Sequence, residues 1–94
     1  MQATELLVAL ETAEMDLEDA GCPEDSEARA AAFEATEMLD AASSRPNFRI
    51  ESVVPIVNDL ISIIRRCPDI DKYVAQRVAN DLEIALSQIG RAHV

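Results

Sequence analysis

Residues that break helices fall at only a few places in this 94-residue chain, and long uninterrupted stretches lie between them. Gly21 and Pro23 mark one break, Pro46 a second, Pro68 a third and Gly90 a fourth. Glycine allows the left-handed turn that closes a helix, and proline cannot continue one. The stretches between are rich in Ala, Leu and Glu, all good helix formers, which favours helices over a sheet. This punctuation predicts four helices, over about 3–20, 26–42, 52–66 and 70–89, followed by a frayed tail at 91–94.

Apolar periodicity supports each helix. In the first, Leu6, Leu10, Ala13, Leu17 and Ala20 recur at heptad-like spacing, with Leu7, Val8 and Met15 flanking them and Glu11, Glu14 and Glu18 on another face. In the second, capped by Asp25 or Ser26, the inward face is Ala28, Ala31, Ala32, Ala35, Met38, Leu39 and Ala42. So many alanines imply close helix–helix approach. Phe33 projects from a different side, either as core against a neighbouring helix or as an exposed anchor. Ser43 to Arg49 is the one long connection, and Pro46 disfavours helical geometry at Arg45. In the third helix Val53, Val54, Ile56, Val57, Leu60, Ile61, Ile63 and Ile64 cover most of the surface, and Pro55 is tolerated in the first turn. The fourth, with Asp69 as its expected cap and Gly90 as its expected stop, carries Val74, Val78, Leu82, Ala85 and Ile89.

Aromatic residues make up only 3% of the chain, so the core must come from Leu, Ile, Val, Ala and Met. The expected fold is all-α: a small four-helix bundle of two antiparallel αα-hairpins, in one domain covering residues 1–90. Cys22-Pro23 and Cys67-Pro68 then fall in the two hairpin turns, at one end of an up-down-up-down bundle. The two thiols can approach there, although free thiols in a reducing cytosol are the simpler expectation.

Charge divides the chain. Residues 1–44 hold twelve acids and one base, Arg29, a balance of −11, whereas residues 45–94 are close to neutral. An acidic half disfavours direct nucleic-acid binding, which needs Lys and Arg, and favours a basic partner. No stretch approaches the length of a membrane span, and the N-terminal segment lacks the pattern of a signal peptide, so a cytoplasmic protein without membrane contact is expected.

Catalytic, metal-binding and cofactor-binding residues are not expected. The single histidine, His93, lies next to the C-terminal residue, where no nucleophile–base pair can be held in place. Asp16 to Glu27 has the length of a calcium loop, but Ala20 cannot coordinate at its fifth position and Pro23 lacks the N–H needed at its eighth. Asp25-Ser26-Glu27 departs from the Asp-Ser-Leu context of acyl carrier proteins at the third residue, so no prosthetic group is expected.

Two functions remain. In the first, the chain is a small acidic protein-binding module that inhibits a basic, nucleic-acid-binding partner in the manner of a nucleic-acid mimic. Its contacts would be Glu11, Glu14, Glu18, Asp19, Glu34 and Glu37. Small phage-encoded inhibitors of host defence nucleases, the anti-CRISPR proteins among them, share this size and charge. In the second, the chain is a self-associating structural or adaptor protein, a homodimer formed through Val54, Ile56, Ile61 and Ile63 of the apolar third helix.

Overall fold

In a computed structural model, which describes residues 2–92, four helices follow one another: α1 (Gln2–Asp19), α2 (Glu27–Ser43), α3 (Val54–Arg65) and α4 (Lys72–Ala92). A 3-10 turn, Ile50–Val53, leads into α3. No strand occurs among the described residues. The helices form a closed ring, in which α1 and α3 each pack against both α2 and α4. Short turns make consecutive helices antiparallel, giving the bundle of two αα-hairpins.

Each boundary has a local cause. Gly21, at φ 86°, ends α1 in a Schellman turn: the Gly21 N–H donates to the Glu18 carbonyl and the Cys22 N–H to the Leu17 carbonyl, both at 3.0 Å. Cys22 and Leu17, the two residues this motif brings together, are both buried. Ser26 begins α2, its Oγ accepting the Arg29 N–H at 3.2 Å. Pro55 falls in the first turn of α3, where a missing N–H leaves no bond unmade.

The fourth helix departs from expectation at both ends. Asp69 does not cap it. The chain turns through Pro68 and Asp69, buries Ile70 in the core, and becomes helical only at Lys72, with the Ala75 N–H reaching back to the Asp71 carbonyl. Gly90 does not stop it either, and the helix runs on to Ala92. A terminal glycine costs a helix only about 1 kcal/mol relative to alanine, and buried Ile89 anchors the preceding turn. The proposed tail at 91–94 is therefore helical through Ala92, and residues 93 and 94 lie outside the described residues.

The core is aliphatic. Leu6, Leu10 and Leu17 of α1 meet Ala28, Ala32, Ala35 and Leu39 of α2, with Val57, Leu60, Ile61 and Ile64 of α3 and Ala75, Val78, Ala79, Leu82 and Ile89 of α4 closing the interior. On α4 the buried stripe passes through Ala75 and Ala79, while Val74 and Ala85 are only partly covered. Met38, expected to face inward, is exposed. Leu10→Ala should cost about 2–5 kcal/mol of stability in urea unfolding, and Met15→Ala, on the exposed side of the same helix, less than about 0.5 kcal/mol.

Candidate functional site

The acidic half forms the α1/α2 hairpin, and the packing of α1 decides which of its residues face solvent together. Ala9, Thr12, Ala13 and Asp16 line a crevice against Val78 and Asp81 of α4. Arg77 of α4 reaches the same flank, its Nη2 lying 4.0 Å from Asp16 Oδ2. With α4 on that side, α2 lies on the opposite flank, that of Leu7 and Glu14. At 100° per residue, Glu18 and Glu11 lie just beyond Glu14, followed by Met15 and Val8 on the outward surface.

On α2, the Arg29 Nη1 donates to the Cys22 carbonyl at 3.3 Å, so its flank faces the end of α1. Phe33 lies one turn further along that flank and Glu37 one turn beyond Phe33. The two helices thus present one mixed surface. Val8, Met15 and Phe33 are 55%, 63% and 58% exposed, and Glu11, Glu18 and Glu37 are exposed on the same two helices.

The six acids singled out from the sequence do not all share this face. Glu11, Glu18 and Glu37 do, and exposed Asp19 stands at the end of α1. Glu14 is half-buried in the seam, its Oε1 shielded from solvent with no hydrogen-bond partner. Glu34 is exposed but lies across the crest of α2, towards the α3 side. Sequence reasoning did not assign Val8 and Met15 to the site. They were expected to flank the Leu6–Leu17 stripe, and their spacing instead sets them on the opposite, outward side of α1.

The charge on this face is uncompensated. Among the described residues, Glu11, Glu18, Asp19, Glu34 and Glu37 make no ion pair and no side-chain hydrogen bond. Glu11, Glu14 and Glu18 are three and four residues apart, the spacings at which like charges on a helix repel by a few tenths of a kcal/mol. The last turn of α1 carries no base, so Asp16, Glu18 and Asp19 stand at the negative end of the helix dipole.

The apolar third helix packs mainly into the bundle, and Val54 and Ile61 also line an open hollow against Leu86 of α4. Ile61 is buried, Val54, Ile56 and Ile63 are half-buried, and none of the exposed large hydrophobic side chains belongs to α3. Its polar strip is held by Arg65, which pairs with Glu83 of α4 and donates from Nη2 to Asn80 Oδ1 at 3.3 Å. At the far end of the bundle, the α2–α3 connection forms an open hollow of about 590 Å³ whose lining includes Arg45, Phe48, Arg49 and Ser52, with the Ser52 hydroxyl donating to the Arg49 carbonyl at 2.7 Å.

Asp16 to Asp19 are the last turn of α1, so the calcium-like spacing does not form a loop. Among the described residues, no three His, Cys, Asp or Glu side chains cluster in a way that could hold a metal ion. No helix is long and apolar enough to cross a membrane, again among the described residues. Compared with protein-family models, curated proteins and solved structures, the chain matches none.

Two stability measurements test these assignments. Glu14→Met removes a shielded oxygen that has no partner and should raise the free energy of urea unfolding by about 1 kcal/mol. Ile61→Asp places a charge in the core, and its circular dichroism should show an unfolded chain where an exposed position would leave a folded one.

Proposed function

We propose that the α1/α2 face binds a protein with a basic surface, and that the chain acts as an inhibitor by occupying a site that otherwise holds nucleic acid. One observation carries this reading: exposed, unpaired carboxylates and three exposed apolar side chains stand together on the α1/α2 hairpin. Carboxylates at helical spacing can stand in for phosphates, and a field of one sign steers a basic partner from a distance. The same arrangement disfavours direct contact with nucleic acid, since carboxylates outnumber cations there and Arg29, on the flank of α2, is held by the Cys22 carbonyl. Val8, Met15 and Phe33 add apolar contacts at the centre of the face, where buried aromatic side chains contribute most to binding.

Unpaired acids along α1 reduce helix stability, so solubility alone is a weak reason for concentrating them there. Association through α3 has less support, because Ile61 is buried in the core and Ile56 and Ile63 pack against it.

The test begins with capture of partners from native lysate at low salt and identification by mass spectrometry. Binding of the purified partner is then measured by calorimetry at two salt concentrations. Affinity should fall steeply between about 50 and 300 mM salt, where screening shortens the range of charge attraction. Exchanging Glu11, Glu18 and Glu37 together for lysine should abolish binding, and Phe33→Ala should weaken it by about 2 kcal/mol, roughly thirtyfold. Replacing Arg45 and Arg49 with alanine should leave it unchanged. A partner bound equally well by the triple-lysine variant at both salts would overturn the reading.

A further inference from the structure

The two cysteines of the chain, Cys22 and Cys67, are both free thiols in this structure. Topology brings them together. Cys22 closes the turn after α1, and its Sγ lies 2.9 Å from the Oγ of Ser26, the cap of α2. Cys67 follows the last turn of α3, where its N–H donates to the Ile64 carbonyl at 3.1 Å. Because α2 and α3 are antiparallel neighbours, the start of α2 meets the end of α3, and both turns occupy the same end of the bundle. Buried Cys22 belongs to the core cluster and half-buried Cys67 packs against that cluster. Burial pushes the Cys67 thiol pKa up, the Asp69 backbone N–H opposes the rise, and the charges of Cys22 and Asp69 add to it.

We infer that Cys22 and Cys67 form an oxidisable dithiol, which closes to an internal disulfide by exchange with a small-molecule disulfide. The partly exposed Cys67 reacts first. It loses its proton to solvent, and its thiolate attacks one sulfur of the small disulfide. A bond forms between Cys67 and that sulfur, the original S–S bond breaks, and one small thiolate leaves and takes up a proton. Cys22 then loses its proton and attacks the Cys67 sulfur, forming the internal disulfide and releasing the second small thiol. The two protein thiols are oxidised by two electrons and the small disulfide is reduced to two thiols. The bridge ties the α1–α2 turn to the α3–α4 turn. Because thiolate is the attacking species and Cys67 holds its proton tightly, exchange accelerates as pH rises.

The full chain is incubated with oxidised glutathione, quenched by alkylation and weighed intact. The expected product is a monomer about 2 Da lighter than the reduced chain, with no retained glutathione and a peptide linking Cys22 to Cys67. Its thermal midpoint should be higher than that of the reduced chain by about 10 °C, an increase that dithiothreitol reverses. Cys22→Ser should stop at a single glutathione adduct on Cys67. A lasting adduct on Cys67 in the unaltered chain, or disulfide-linked dimers in place of the internal bridge, would overturn the inference.

Discussion

The close approach of α1 to the alanine face of α2 is the contact on which the rest of the bundle depends. None of the buried core residues is aromatic, so the interior cannot be filled by a few large rings and must be filled by interlocked aliphatic side chains. Ala28, Ala32 and Ala35 let the backbone of α2 come near, and Leu6, Leu10 and Leu17 occupy the remaining space with no residual exposure. In a chain this short, each such side chain is a large fraction of the total burial. The tight seam has a second consequence. A bulky residue on the flank of α2 has no room inside, which is how Phe33 comes to stand in solvent beside the acidic residues of α1.

Charge acts against local stability in the same hairpin. The helix dipole favours bases near the end of α1, and the chain places Asp16, Glu18 and Asp19 there. Of the carboxylates along α1, Asp16 has an ion pair, with Arg77, at 4.0 Å. The hairpin tolerates this repulsion because tertiary burial, not local propensity, supplies most of the stability of a packed helix. Burial of the leucine stripe is worth several kcal/mol, and each repulsive pair costs only a few tenths. A strongly acidic face can therefore persist on this scaffold.

Much of the fold could be read directly. Gly21, Pro23, Pro46 and Pro68 place the breaks correctly, because left-handed turns and missing N–H groups are local properties. The start of α4 could not be read. Asp69 has the side chain of a cap, but Ile70 is drawn into the core and moves the helix start beyond it, and a cap residue carries no information about that tertiary contact. Gly90 failed as a stop for the related reason that neighbouring Ile89 is held by the core. The site was legible in part. Glu11, Glu18 and Glu37 were named from charge and do share a face, whereas Glu14 turns into the seam and Glu34 lies across the crest of α2.

The sequence by itself determined the helical class, the number of helices, their antiparallel order and the acidic character of the first hairpin. Each follows from local chemistry: helix propensity, breakers, apolar period and net charge. Only the tertiary structure decided that Glu14 turns into the seam while Glu11 and Glu18 stay exposed, that Phe33 and Met38 of α2 stand in solvent, and that Ala75 and Ala79 in place of Val74 line the buried face of α4. These outcomes depend on which flank of each helix meets which neighbour. A one-dimensional pattern does not specify that choice, because several faces of an Ala- and Ile-rich helix are apolar enough to be buried.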